Sequence, residues 1–170
     1  MSQVQFRMIL ATVSLIWPIA AIAFGGEPPD QSKARDPDFQ AVLKLLHDQE
    51  SAWNKGDLKG FMQGYWNSPE LSFYSGRDKR KGWKETYERY QERYQKQGRE
   101  MGKLTFSELS ADRLSNTKML VRGRWKLDMS NQNIDGLFSL IIEKKPEGWR
   151  IIHDHTSAGD PEPKSPKKQP

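Results

Sequence analysis

The sequence predicts an α+β protein in which three helices precede most of an antiparallel sheet. Between residues 36 and 97, apolar side chains recur at spacings of three and four, which is the period of one helix face. From residue 103 onward they alternate with polar side chains, which is the period of a half-buried strand. Because the helices and most strands occupy separate parts of the chain, we expect the helices to group on one face of the sheet.

Two helices can be placed from their capping residues. Asp36 and Pro37 predict a helix start, because aspartate caps free backbone N–H groups and proline favours the first helical position. This helix should continue to about residue 55 and end at Gly56, because glycine tolerates the left-handed conformation. Asp57 then predicts the cap of a second, short helix, whose apolar side chains, together with Tyr65, face inward.

A third helix is expected over residues 81–97, and an aromatic stripe marks one of its faces. The stripe consists of Trp83, Tyr87, Tyr90 and Tyr94. Aromatic residues at these spacings pack in a core or form a ligand-binding wall. One short strand is expected at residues 71–74. Four consecutive antiparallel strands should follow at 103–107, 119–127, 137–144 and 149–157.

The two ends of the chain are expected to lie outside this domain. Arg7 precedes an apolar run that reaches Phe24 and contains Ala21-Ile22-Ala23, the pattern of a cleaved signal peptide over residues 1–23. The run is shorter than the ~20 residues of a membrane-spanning helix, so we expect export to the periplasm or the medium without a stable membrane anchor. Residues 24–35 should form a linker, and residues 158–170, rich in proline and lysine, a disordered tail.

The composition argues against other classes of protein. The chain has 170 residues and no cysteine, so an exported fold depends on core packing rather than on disulfides. Its formal net charge of +5 comes from 27 basic and 22 acidic residues, which are interspersed, as in the runs at 77–81 and 88–93. Interspersed charges are typical of a solvated surface rather than of a nucleic-acid-binding stripe. We therefore expect no nucleic-acid partner.

Several motifs are shared with a known family. They are Trp-Asn-Lys-Gly-Asp at residues 53–57, Gly-Trp at 82–83, Met-Gly-Lys-Leu-Thr-Phe at 101–106, Gly-Leu-Phe at 136–138 and Gly-Trp-Arg-Ile-Ile-His-Asp-His-Thr-Ser at 148–157. Through these motifs, residues 36–157 resemble the nuclear-transport-factor-2-like superfamily, in particular its bacterial SnoaL-like members of unknown function. The resemblance implies a cone-shaped curved antiparallel sheet wrapped around three N-terminal helices. It also implies a pocket between them and a homodimer formed through the outer sheet face.

The family members that resemble ketosteroid isomerase imply one specific mechanism, with a base aspartate in the first strand and a tyrosine in the first helix. Aligning on the segment from Asn54 to Asp57 places Phe73 at the position of the base and Gln49 at that of the tyrosine. A phenyl ring accepts no proton, and an amide is a poor substitute for a phenol. Asp135 alone matches a second aspartate of the family. We therefore reject the isomerase mechanism for this chain.

The last predicted strand carries two of the three histidines. His153 and His155 share one face of a regular strand, whereas Asp154 points to the other. One hypothesis is a small-molecule enzyme, a hydrolase, dehydratase or isomerase, in which His153 or His155 acts with Asp135 as an acid–base pair. The alternative is that the histidines hydrogen-bond neighbouring strands or a second subunit. No metal site and no cofactor is expected, because a catalytic zinc needs three protein ligands and His47 is the only other histidine.

The leading hypothesis is that the protein binds a small organic molecule in an apolar pocket, with no catalysis established. The residues expected to bind the ligand are Trp66, Phe73, Tyr74, Tyr87, Arg124, Trp125 and Asp154. Aromatic side chains suit such pockets, and an arginine can hold a carboxylate through paired N–H bonds. Core packing explains the aromatic residues equally well. A third hypothesis, a dimerisation module without a cavity, therefore stays open.

Overall fold

The structure is a computed structural model, and it describes residues 36–96, 100–159 and 162–163. The predicted signal peptide and linker lie outside the described residues, as do the end of the predicted third helix and most of the predicted tail. Within the described segments, no helix combines the length and the hydropathy required to cross a membrane.

Three helices form in the order expected from their capping residues. They are α1 (Pro37–Asn54), α2 (Leu58–Met62) and α3 (Trp83–Tyr94). The first two caps are confirmed. The Asp36 side chain accepts a hydrogen bond from the backbone N–H of Asp38 at 2.9 Å, and Asp57 accepts one from Gly60 at 2.8 Å. Gly56 between the two helices has a φ of 74°, a left-handed conformation that other residues rarely adopt.

One sheet contains all the strands of the described chain. They are β1 (Ser72–Ser75), β2 (Asp78–Lys81), β3 (Lys103–Ser115), β4 (Lys118–Asp128), β5 (Gln132–Lys145), β6 (Gly148–Thr156) and β7 (Glu162–Pro163). Six strands follow the order β2-β1-β6-β5-β4-β3, and β7 pairs with β5 beside this path. The sheet is curved and does not close on itself, which confirms the predicted α+β cone.

Three features of the sheet differ from the arrangement expected from sequence. The pairing of β1 with β6 is parallel, so the sheet is mixed rather than wholly antiparallel. Residues 78–81, for which no strand is predicted, form β2, and α3 therefore begins only at Trp83. As an edge strand, β2 exposes charged side chains, which oppose pairing with other chains. Residues 162 and 163 of the predicted tail pair with β5.

The end of α1 is fastened to the start of β3 by side-chain hydrogen bonds. The indole N–H of Trp53 donates to the carbonyl oxygens of Met101 and Gly102, at 3.2 Å and 3.1 Å. The amide of Asn54 exchanges two hydrogen bonds with the backbone of Leu104, at 2.9 Å and 2.7 Å. These contacts hold the helices over the inner face of the sheet, where the hydrophobic core lies.

Strand β6 contains a β-bulge at Ile152. Residues 141 and 142 of β5 pair with residues 153 and 151 of β6, so Ile152 is an additional residue without a partner. A one-residue insertion shifts the alternation of side chains from there onward. Ile151 and Asp154 are therefore both buried beneath the helices, although they are three positions apart.

Candidate functional site

A cavity of about 160 Å³ lies between the helices and the inner face of the sheet. Most of its wall is apolar, formed by Leu46, Trp53, Phe61, Phe73, Leu104, Phe106, Trp125, Leu127, Phe138, Leu140 and Ile151. Four polar side chains reach the interior of the same space, namely Gln49, Tyr65, Tyr90 and Asp154. Apolar walls with a few polar groups are the usual composition of a small-molecule site.

Asp154 occupies the inner face of β6 because of the bulge. In the sheet it lies between Leu140 of β5 and Phe73 of β1, which are its partners in the two strand pairings. It is 5% exposed. Without the bulge, the alternation from the buried start of β6 would turn His153 and His155 toward the helices and Asp154 outward. The bulge thus decides which face of the strand meets the cavity.

The carboxyl group of Asp154 has apolar neighbours and one hydrogen-bond donor. The hydroxyl of Tyr65 donates to Oδ2 at 2.7 Å, whereas no described residue donates to the buried Oδ1. Burial raises the pKa of Asp154 to about 7, although the hydrogen bond from Tyr65 acts in the opposite direction. The group therefore changes its protonation state near neutral pH. It donates a hydrogen bond when protonated and only accepts hydrogen bonds when ionised.

Two tyrosine hydroxyls adjoin this carboxyl group. Burial, followed by the charge of Asp154, raises the pKa of both Tyr65 and Tyr90, so both stay protonated. Residues 64–66 pair with Ile151 through two backbone hydrogen bonds of 2.9 Å, which hold Tyr65 beside β6. Tyr90, from α3, lies near enough for the charge of Asp154 to raise its pKa. Two protonated phenol groups therefore adjoin Asp154, and that of Tyr65 donates a hydrogen bond to it.

Charged side chains surround the solvent-facing end of the cavity. Arg80 of β2 and both Arg89 and Arg93 of α3 line it, together with Asp78. A carboxylate oxygen of Asp78 lies 3.4 Å from a guanidinium nitrogen of Arg80 and 3.7 Å from one of Arg89. The guanidinium group of Arg93 lies 5.4 Å from the centre of the Tyr94 ring. Guanidinium groups thus outnumber carboxylates at this opening.

Three of the seven predicted ligand-binding residues, Phe73, Trp125 and Asp154, line the cavity. The other four, Trp66, Tyr74, Tyr87 and Arg124, lie outside its wall. Lys145 covers the ring of Trp66, with Nζ 3.9 Å from the ring centre. Tyr87 stacks on Trp83, with the ring centres 5.2 Å apart, so this part of the aromatic stripe packs within the protein.

The structure does not bring His153, His155 and Asp135 together. Both histidines lie beside Tyr74, whose ring centre is 5.1 Å from that of His153 and 6.3 Å from that of His155, on the face opposite Asp154. Ser139 of β5 is the residue that pairs with His155, and Asp135 lies four positions before it on the same strand. At the usual rise of a strand, four positions correspond to about 13 Å. The carboxylate of Asp135 is 3.5 Å from Arg124. The geometry that the predicted acid–base pair requires is therefore absent.

The histidines contact neighbouring strands, as the alternative hypothesis for them requires. Oγ of Ser72 lies 2.6 Å from Nδ1 of His153 across the β1–β6 pairing. Burial lowers the pKa of His153, and the nearby His155 acts in the same direction. A neutral imidazole suits a hydrogen bond between strands. Among the residues that the structure describes, no three acidic or histidine side chains converge on a point that could hold a metal ion.

Tyr65, Tyr90 and the three arginines are site residues that the sequence alone does not identify. Tyr90 belongs to the aromatic stripe predicted on the third helix, which is the signal that points to it. The arginines come from two segments whose mixed charges are typical of a solvated surface. They converge only because β2 and α3 pack beside the same opening.

The cone-shaped sheet with helices on its inner face defines the class of protein as NTF2-like. Within this class, residues 40–161 match the model of the SnoaL-like domain. The chain therefore belongs to the SnoaL-like domain family. No curated protein sequence matches it.

Solved structures agree with this assignment. The chain is similar to an NTF-2 like protein of unknown function from Shewanella oneidensis MR-1, with 38% identity and a TM-score of 0.66 over 69% of this chain and 97% of that one. It is also similar to an NTF2-like superfamily protein from Salmonella enterica serovar Typhimurium LT2, with 22% identity, a TM-score of 0.57 and coverage of 76% and 93%. A ketosteroid isomerase-like protein from Erwinia carotovora atroseptica SCRI1043 shows 15% identity, a TM-score of 0.58 and coverage of 72% and 97%. The last two likenesses concern the fold alone.

Proposed function

We propose that the protein binds a small organic molecule in the cone cavity, and that Asp154 is the polar group that contacts it. The observation that carries this proposal is the buried carboxyl group on the wall of a largely apolar cavity. Burying a carboxyl group costs free energy, and such groups with strongly shifted pKa values cluster at binding and catalytic sites. Members of the NTF2-like fold class often bind small ligands, which also supports the proposal.

The size and polarity of the cavity define the class of ligand. Its volume of about 160 Å³ is close to that of a cavity that accommodates one benzene ring. The rings of Trp53, Phe61 and Phe73 offer aromatic contacts on the wall. Oδ1 of Asp154 has no donor among the described residues, so a carbonyl or hydroxyl group of the ligand can use it. The proposed ligand is a single-ring compound with an oxygen substituent.

Binding of acetophenone, a single-ring ketone, tests this proposal. Below pH 7 the protonated Asp154 donates to a carbonyl oxygen, and above it the ionised form cannot. We expect affinity to fall by up to about tenfold between pH 6 and pH 8, in proportion to the protonated fraction. Ligand-observed NMR titrations of the wild type and of Asp154→Asn measure this, since the amide donates at both pH values.

The matched control is Asp135→Asn, which changes an exposed carboxylate outside the cavity wall. It should retain the pH dependence of the wild type. Binding that is equal at both pH values in the wild type, or that changes with pH in Asp154→Asn, would count against the role of Asp154. Absence of binding by acetophenone and by other single-ring ketones and phenols would contradict the proposed function itself.

A second candidate function is acid–base catalysis on the bound molecule, with Asp154 as the proton-transferring group. The observation that favours it is the pKa of Asp154 of about 7, because a general acid or base works best when its pKa is near the working pH. This hypothesis keeps the predicted acid–base chemistry but assigns it to Asp154 instead of a histidine acting with Asp135. Deuterium exchange at the methyl group of acetophenone is the measurement, and Asp154→Asn should abolish any exchange above the solvent rate.

Export and dimerisation are proposals as well. The basic residue, apolar run and small-residue pattern of residues 1–23 support a cleaved signal peptide. The mass of the protein recovered from fractionated cells tests both cleavage and location. Members of the fold class often form dimers, which supports a homodimer. Sedimentation of the purified protein measures this directly.

A further inference from the structure

We propose that the ligand of the cone cavity carries a carboxylate, which is held by the three arginines at the cavity opening. These residues, Arg80, Arg89 and Arg93, are here named the arginine rim. The inference rests on the proposed function and adds the chemical class of the ligand. It assigns a second polar contact at the opening of the cavity, where Arg80 is separated from Asp154 in the sheet by Phe73, which pairs with both.

The arginine rim carries more positive charge than its neighbours neutralise. Asp78 lines the same opening, and Glu85 lies 3.4 Å from Arg80 on the outside. Within residues 36–96 and 100–159, Arg93 forms no ion pair with a carboxylate, and its guanidinium group instead lies over the Tyr94 ring. Two carboxylates therefore face three guanidinium groups. An anionic ligand group at the opening would remove this imbalance.

The ion pairs at the arginine rim also leave donors available. Asp78 lies 3.4 Å from Arg80 and 3.7 Å from Arg89, whereas a strong charge-assisted bond measures about 2.7–2.9 Å. A guanidinium group has five N–H donors, and its planar fork matches the two oxygens of a carboxylate. The side chains of Arg80 and Arg89 are 26% and 41% exposed. Being partly shielded from water, they attract an anion more strongly than free surface arginines do.

The interior and the opening of the cavity therefore differ in their chemistry. Asp154 is buried in the interior and is neutral below its pKa of about 7, so it accommodates an uncharged oxygen group. The arginine rim lies in partial contact with solvent and favours a negative charge. Most of the remaining wall is apolar. A single-ring carboxylate with a carbonyl or hydroxyl group at its far end satisfies all three regions.

The matched pair 4-acetylbenzoate and 4-acetylbenzamide tests the inference, because the two compounds have nearly the same shape and differ in one group, a charged carboxylate or an uncharged carboxamide. Isothermal titration at pH 6 and low salt gives both dissociation constants. We expect the carboxylate to bind about tenfold more tightly than the amide, and the preference to shrink in 0.5 M salt. In each of the variants Arg89→Gln and Arg93→Gln, the affinity for the carboxylate should fall toward that for the amide, and the affinity for the uncharged amide should change much less.

Arg122→Gln is the matched control, because it removes one guanidinium group that pairs with Asp112 and does not line the cavity. It should keep the full preference for the carboxylate. Arg93→Lys, which retains the charge, should keep part of it, and thermal unfolding confirms that each variant is folded. Equal binding of the two compounds by the wild type would overturn the inference and leave the proposed function standing. If Arg89→Gln and Arg93→Gln both kept the preference for the carboxylate, the assignment of that preference to the arginine rim would be overturned. If neither compound nor acetophenone bound, both the proposed function and this inference would be overturned.

Discussion

Replacing Asp154 by asparagine is expected to make the protein more stable at pH 8 and to leave its stability near pH 4 almost unchanged. The folded-state pKa of Asp154 is about 7, against an ordinary value of 3.8. Between these two values the unfolded chain loses the proton while the folded protein retains it. The contribution of Asp154 to stability is therefore fully present below pH 3.8 and is lost as the pH rises to about 7.

The size of this loss follows from the pKa shift. At 1.36 kcal/mol per unit, a shift of about three units corresponds to roughly 4 kcal/mol. Asparagine resembles the protonated carboxyl group in shape and has an oxygen that can accept the hydrogen bond from Tyr65, so it avoids the loss. Urea denaturation of both proteins at pH 4.5, 6 and 8 measures the difference in the free energy of unfolding, which should grow with pH.

The variant Asp135→Asn again provides the control, since its carboxylate is exposed on β5. The difference in the free energy of unfolding between Asp135→Asn and the wild type should show no comparable rise between pH 4.5 and 8. A contrary result would be an Asp154→Asn variant that is less stable than the wild type by the same free energy at pH 4.5 and at pH 8. The carboxyl group of Asp154 would then not be desolvated as the structure indicates. The proposed pH dependence of ligand binding would then lose its basis as well.

Replacing Trp53 by alanine is expected to lower the free energy of unfolding by about 3–5 kcal/mol. The side chain is 3% exposed and contacts the rings of Phe61, Tyr90 and Tyr94 at centre-to-centre distances of 5.1, 6.0 and 4.8 Å. Alanine would leave a void among these rings and remove the indole donor to two backbone carbonyls at the start of β3. Chemical denaturation followed by far-ultraviolet circular dichroism measures the loss.

Trp66→Ala is the comparison for this change. Trp66 is partly exposed, and Lys145 rather than core side chains covers its ring, so its loss should cost about 1 kcal/mol. Because Trp53 also lines the cavity, its replacement should weaken binding of a single-ring ligand, whereas Trp66→Ala should not. A Trp53→Ala variant within 1 kcal/mol of the wild type would show that the helices do not depend on this contact.

Local physical chemistry makes most of the fold predictable. The caps at Asp36 and Asp57, the left-handed Gly56 and the change of period near residue 103 act within a few residues, so they can be recognised in one sequence. The spacing of three and four residues likewise places the aromatic stripe that contains Tyr90 on one face of a helix. The motifs shared with SnoaL-like proteins then lead to the cone-shaped sheet, which the structure confirms.

Long-range pairing determined the candidate site. The alternation of β6 indicates two opposite faces, but only the pairing with β5 reveals the additional residue Ile152, and that residue turns Asp154 inward. The parallel pairing of β1 with β6 places Phe73 beside Asp154. The position of β2 next to α3 brings the arginine rim together.

By itself, the sequence determined the helices, most of the strands, the family and the presence of polar residues at the end of the last strand. The tertiary structure alone decided that Asp154, rather than His153 or His155, faces the cavity. The physical reason is that side chains on a strand alternate every two residues. A single additional residue in the strand therefore moves every following side chain to the opposite face of the sheet. Such a residue becomes visible only when the neighbouring strand supplies the register.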